Sequence, residues 1–295
     1  MTTLAPVSTA GTYEFQVTDL LHDPAFAKWS QASIDTYINP ARKQLVMDTG
    51  CLRSLQVAYL TAGIEQYFFG SVTGSLILTG GSGYVNPSVS FSGGGGTGAA
   101  ATVQQSGGSV TGLTFTNFGS GYTSAPNANI TDAGPGVGAT AAIGVINVNT
   151  FDVLDIHVLW GTQRYTLDWF PFRKFSAQFR PWTAASFQRQ PVCWAVYGET
   201  SLFIGPTPDQ NYTTEFDSVV LPTPFAVNDT TTVDAIPIVA QDPIQFYAAY
   251  LAKNNAQSFG EAEGFLAQYR RRVAEVNSAY TGRIMSQYDP GEFQG

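Results

Sequence analysis

Charged side chains are scarce in this sequence: Asp, Glu, Lys and Arg make up 12% of its 295 residues, and none occurs between Phe68 and Thr131. That disfavours long solvated helices over most of the chain. The two cysteines, Cys51 and Cys193, lie far apart with no CxxC or Cys/His grouping, which excludes a disulfide framework and a zinc ribbon and predicts free thiols in a reducing cytosol. No apolar run reaches the roughly 18 residues of a membrane-spanning helix. With no lysine or arginine before Lys28 and no apolar stretch at the start, neither a signal peptide nor an anchor is expected. The formal charge of -8 repels nucleic acid and excludes a sequence-reading DNA binder, while remaining compatible with a conduit that DNA crosses without sticking.

What is present is aromatic and glycine-rich: 20 Phe, 14 Tyr and 30 Gly point to β-rich structure. The best specified helix lies within residues 33–54. Ile34, Tyr37, Ile38, Ala41 and Leu45 form one stripe, with Asp35, Arg42, Lys43 and Gln44 facing elsewhere. Ser30 or Ser33 can cap its start, Gly50 can end it, and Pro40 predicts a kink. A short helix is expected over 15–21, after which His22-Asp23-Pro24 reads as a second helix start. Strands are expected at 66–69, 151–160, 164–167, 191–197, 202–204 and 212–220, with Leu154, Ile156, Val158 and Trp160 sharing one face. Residues 168–180 read as a short helix or an irregular cover. Two helices close the chain, the first opened by Asp242-Pro243, the second striped by Ala262, Phe265, Leu266, Tyr269, Val273, Val276 and Tyr280.

Between these parts lies an internal repeat. GSVTGSLILTGGSGY, from Gly70 to Tyr84, aligns without a gap on GSVTGLTFTNFGSGY, from Gly108 to Tyr122, at an offset of 38 residues. Ile77 matches Phe115, Val89 matches Ala128 and Phe91 matches Ile130, in alternation with Ser, Thr or Asn. Glycine clusters supply the turns. The expectation is a neutral, two-copy β unit set into a larger β domain.

No convincing active site emerges. Gly93, Gly95 and Gly98 satisfy GxGxxG, but no helix and no phosphate-binding lysine follow. Any Ser/His/Asp reading must use His22 or His157, and structural roles are favoured for both. Asp152 and Asp155 could serve glycoside hydrolysis, though strand solubility explains them better. Arg270, Arg271 and Arg272 read as a solvated helix face or as a contact for an acidic partner. No enzyme activity, cofactor or metal is expected.

Several words of the sequence are more specific: LLHDP from Leu20 to Pro24, Trp29, YINPAR from Tyr37 to Arg42, and DTGCLRS from Asp48 to Ser54. Together they resemble the opening of the head-to-tail adaptor (connector) proteins of tailed bacteriophages. The resemblance returns more loosely between Phe151 and Tyr280, including QPVCWAVYGETSLFIGPTPDQNY and the closing helices. It implies a structural virion protein at the head–tail interface: a dodecameric ring docked under the portal protein, extending the DNA channel and holding tail components such as a nozzle or fibres. Residues 1–69 would be the N-terminal helical part and first strand, 70–146 an inserted β-repeat domain, 147–240 the β domain, 241–284 the C-terminal helices and 285–295 a tail. The fold class expected is α+β, a helical bundle of N- and C-terminal helices plus a β-sandwich-like middle domain carrying the inserted repeats. Candidate portal or subunit contacts are Arg270, Arg271, Arg272, Tyr288, Phe293, Arg42 and Arg53. The rival reading is a carbohydrate- or receptor-binding or decoration virion protein that uses the repeats.

Overall fold

The computed structural model describes residues 8–180 and 185–285. The chain forms two compact units, one built from residues 1–53 and 221–295, the other from 54–220.

The first unit holds four helices: α1 (Ala10–Leu20), α2 (Gln31–Thr49) and, after the long return of the chain, two whose ranges are given below. Thr9 caps α1, its hydroxyl accepting from the Thr12 amide, so the helix begins five residues before the expected start. Ser30 caps α2, Gly50 ends it at φ +60°, and the helix runs through Pro40. The buried side of α2 is wider than the apolar stripe, because Asp35 and Arg42 are buried beside Ile34, Ile38, Ala41 and Leu45. Asp23 does not open a helix. Its carboxylate accepts from the amides of Ala27, Lys28 and Trp29 at 2.8–3.0 Å, folding 23–29 into a tight loop. Those same bonds, led by the Trp29 amide, lower the Asp23 pKa.

In the second unit the framework is two four-stranded sheets. One has the order β1-β14-β9-β10, from β1 (Arg53–Leu60), β9 (Thr150–Trp160), β10 (Gln163–Thr166) and β14 (Tyr212–Val220). The other has the order β11-β12-β13-β2, from β2 (Gln66–Phe68), β11 (Asp168–Trp169), β12 (Cys193–Tyr197) and β13 (Ser201–Gly205). Ala58, Leu60, Tyr67, Ile156, Trp194 and Phe216 belong to a single buried cluster drawn from both. Helix α3 (Phe172–Gln178) buries Phe175 among Cys193, Ala195 and Phe203. On β9 the expected phase fails at Leu154, which is exposed while Val153 is buried. Asp155 pairs with Asp217 and Val153 with Ser218, so Leu154 is bulged out of register.

The repeat folds by exchange between its copies. The first copy supplies β3 (Val72–Ser82), β4 (Pro87–Ser92) and β5 (Thr97–Ser106), and the second β6 (Ser109–Ser120), β7 (Asn127–Asp132) and β8 (Val137–Val145). Every ladder joins one copy to the other, β3 to β8, β4 to β7 and β5 to β6, as three two-stranded sheets. The symmetry extends to irregularities. Ladder shifts at Thr73 and Leu78 recur, 38 residues on, at Thr111 and Thr116. Gly81 and Gly119 both take positive φ, +63° and +64°, and a Cβ on either would lie within 2.6 Å of two backbone atoms of the opposite copy. The Tyr84 amide donates to Gly108 O and the Tyr122 amide to Gly70 O. The symmetry breaks where β1 passes: Gly74 and Gly144 each sit so close to Tyr59 that an added Cβ would be 2.5 Å from its backbone. Thr73 Oγ1 also accepts from the Tyr59 amide.

After β14 the chain rejoins the first unit through an extended stretch and ends in α4 (Pro243–Asn255) and α5 (Phe259–Met285). Pro243 occupies the first turn of α4, but Asp242 makes no capping hydrogen bond and instead meets Arg272. Ala248, Ala249 and Ala252 are fully buried, and their small side chains allow close helix packing.

These observations correct the expected fold class. The protein is a mixed one, with five helices and 39% strand spread over several small sheets, rather than a bundle of terminal helices framing a β-sandwich. The reasons are physical. Exchange pairing limits the repeat to two-stranded ladders, and irregular chain from Leu221 onward, rather than helix alone, completes the core around α2.

Candidate functional site

The most highly organised polar cluster centres on Arg42. Its Nε and Nη2 donate to the two carboxylate oxygens of Asp234 at 3.1 and 2.6 Å, the forked geometry that arginine and a carboxylate share. Nη1 donates to Thr223 O at 2.9 Å, and the guanidinium lies 3.6 Å from the centre of the Phe225 ring. Asp234 also accepts from the Tyr13 hydroxyl at 2.8 Å and from the Ile236 amide. Asn39, one turn before Arg42, grips Phe225 on both sides of its peptide, donating to its carbonyl at 3.0 Å and accepting from its amide at 2.8 Å. Tyr37 accepts at its hydroxyl from Asn255 of α4. The YINPAR residues thus clamp the returning chain onto α1 and α2. Arg42 is 2% exposed, and its bonds are made within the subunit.

A second cluster joins α1 to α2. Glu14 is buried, accepts from Gln31 at 2.8 Å, and its other oxygen is unpartnered in hydrogen bonding. Burial first, and then the neighbouring Asp35, push its carboxyl up to about 7. Asp35 in turn accepts from the Asn228 amide.

The candidate contact arginines fall in different settings. Among the residues of α5 up to 279, a narrow line of Ala262, Tyr269 and Val276 is buried, and many of the others are exposed. Arg270 is exposed and has no ion pair among the described residues. Arg271 pairs with Glu275 across one turn. Arg272 is turned inward, meeting Asp242 at 3.1 Å. Tyr269 donates to Asp48 at 2.6 Å, tying α5 to the end of α2. Arg53 is exposed and opens β1. Tyr288 and Phe293 lie outside the described residues.

His22 sits exposed in a turn at φ +55°. His157 is half-buried on β9, Nδ1 3.0 Å from the Thr166 hydroxyl and Nε2 3.4 Å from Asp155. Gly93, Gly95 and Gly98 all take positive φ, the first two between β4 and β5 and Gly98 within the start of β5. No group of three metal-ligating side chains occurs among the described residues, and none of the described helices is long and apolar enough to cross a membrane.

The apolar stripe alone sets Arg42 on the polar side of α2 and so hides the clamp. The signal was available, since it follows Ile38 by four residues and so continues the buried stripe. None of the curated proteins matches this chain. The family described as SU10 adaptor protein does match, over residues 121–290, more than half of the chain. That span includes Asp234 and the rest of the segment gripped by Asn39 and Arg42, together with most of the framework strands and α4 and α5. The chain therefore belongs to the SU10 adaptor protein family, structural adaptors of bacteriophage virions.

Proposed function

We propose that the protein is a head-to-tail adaptor, copies of which form a closed ring that docks beneath the portal, extends the DNA channel and carries tail components. The observation that carries this reading is the family match over residues 121–290. A ring of dodecameric order would use the same surface pair at every junction, so modest single contacts suffice once the ring closes. A net charge of -8 per subunit suits a channel that genomic DNA must pass without binding.

In this reading residues 1–69 and 147–284 are the adaptor proper and 70–146 an inserted module. The strands that begin and finish the module are paired, Val72 opposite Val145, and the Gly70 amide donates to Ile146 O at 2.7 Å, so its two ends are adjacent. The exposed side of α5, with Arg270 and Arg271, and the tail 285–295, with Tyr288 and Phe293, face the portal or a neighbouring subunit. Arg53 is a further contact.

The test is co-sedimentation with the portal ring of the same phage, followed by native mass measurement. Equal numbers of portal and adaptor subunits are expected. Arg270→Glu with Arg271→Glu should weaken docking about tenfold or more, and removal of 285–295 should abolish it with thermal unfolding unchanged. Removal of 70–146 should leave docking intact. Absence of any complex across a range of salt concentrations, or full docking without the tail, would overturn the reading.

A further inference from the structure

A cleft of about 540 Å³ opens between the β1–β14 side of the framework and the repeat, a size typical of small-molecule sites. One wall carries Tyr59, Ile64, Asn211 and Tyr212, and the other carries Gln104, Thr114, Phe115 and Phe118. None of the residues lining it is charged. Phe115 stacks on Phe91 and on Phe118, with ring centres 5.6 Å apart in both pairs and planes within 25° of parallel. Phe115 and Phe118 line the cleft and are only partly buried, while Phe91, outside the lining, packs with Phe115 against the small core of the repeat and backs the aromatic surface that the other two present.

The polar groups at the cleft are held in place and leave bonding capacity over. Gln104 donates from Nε2 to the Thr114 hydroxyl at 2.7 Å, which leaves Oε1 to accept. Asn211 accepts at Oδ1 from the Ala62 amide at 2.9 Å, which leaves its amide hydrogens to donate. Thr111 and Thr213 add hydroxyls.

We propose that this cleft binds a neutral oligosaccharide. A pyranose presents an apolar C–H face, suited to the phenylalanine surface, and a rim of hydroxyls that both donate and accept, suited to paired amides and threonines. A phosphate, a carboxylate or a cation would enter a neutral cleft with no counter-charge. An extended peptide would need a free strand edge, and the Tyr59 amide on that edge of β1 is already taken by Thr73 at 3.1 Å. The proposal is independent of portal docking. It gives the adaptor a second surface, one that recognises glycans.

The test uses the full chain and saturation-transfer NMR with maltotriose, cellotriose, mannotriose and chitotriose as probes, each up to about 10 mM, and trigalacturonate as the anionic counterpart. At least one neutral trisaccharide should bind, and trigalacturonate should bind at least about tenfold more weakly. Phe118→Ala and Gln104→Ala should each weaken binding about tenfold, and Trp169→Ala, at an exposed ring outside the cleft, should leave it unchanged. Gln104 is exposed, so its variant keeps the test decisive if Phe118→Ala does not fold. Failure of all four neutral probes, unchanged affinity in Gln104→Ala, or equal binding of trigalacturonate would overturn the proposal.

Discussion

In the helical unit an irregular stretch of chain is held by buried charge, whereas the six strands of the repeat contain a single charged side chain, Asp132 at the end of β7, which accepts from the Val85, Asn86, Gly134 and Gly136 amides. Around Arg42 the bonds to Asp234 and Thr223 depend on partners from a distant part of the sequence, and one to Asn39 is local. Asp234 is 192 residues away, and each partner would be an isolated buried ion without the other. In the repeat the corresponding constraint is shape: glycines at positive φ let the backbones of the two copies approach to distances a Cβ would forbid. The lesson is that one chain can fix extended structure either by electrostatic pairing or by steric permission, and that the two should fail differently.

The sharpest break is expected at the ion pair. Arg42→Ala should cost about 3–5 kcal/mol, because it strands a buried carboxylate. Denaturant unfolding should show the loss, and Arg42→Ala with Asp234→Ala should cost less than the sum of the single changes. If the double change is fully additive, the two groups are not coupled as described.

The repeat offers an internal control for the steric side. Gly119→Ala adds a Cβ 2.5 Å from Thr97 O at φ +64° and should cost about 3 kcal/mol. Gly107→Ala, also at positive φ but with nothing within 4 Å, should cost about 1 kcal/mol. Hydrogen exchange should localise both effects to amides of 70–146 and leave the helical unit protected. Equal costs at the two positions would remove the argument from close approach.

A smaller effect than the loss of the ion pair should be a pH dependence confined to the helical unit. Folding raises the Glu14 carboxyl from 4.5 to about 7, so the folded state keeps a proton that the unfolded chain gives up. Its favourable contribution is full below about 4.5 and is lost as pH rises to about 7. Glu14→Gln should flatten this slope and stabilise the protein at pH 8 by about 1–2 kcal/mol, the shift being discounted for screening. A parallel pH profile in wild type and variant would assign the slope to another group.

Much of the local structure was legible. The capped α2, the strand Tyr212–Val220 and the repeat at 38 residues follow from periodicity and turn chemistry. What escaped depends on partners remote in sequence. Periodicity reveals two copies, yet it carries no information on which copy a strand pairs with, and exchange pairing was therefore invisible. Asp23-Pro24 looks like a helix start, but three amides of the following loop compete for the carboxylate and win. Leu154 fits an alternating pattern that a bulge opposite Asp217 and Ser218 displaces. Of the candidate site, the exposed arginines of α5 could be read from the sequence, whereas the inward turn of Arg272 towards Asp242 and the cleft beside Tyr59 could not.

The ladders of the repeat lie one inside another: β5–β6 across a two-residue turn, β4–β7 around it, β3–β8 outermost. Folding can then run as a zip, each closure bringing the next pair within short reach although Val72 and Val145 are remote in sequence. The same nesting sets the response to a pull. Tension applied through Gly70 and Ile146 loads the outermost ladder at one end, so its hydrogen bonds part in succession instead of sharing the load. The repeat is thus expected to yield to force gradually, paying out chain from its base while its innermost hairpin stays shut.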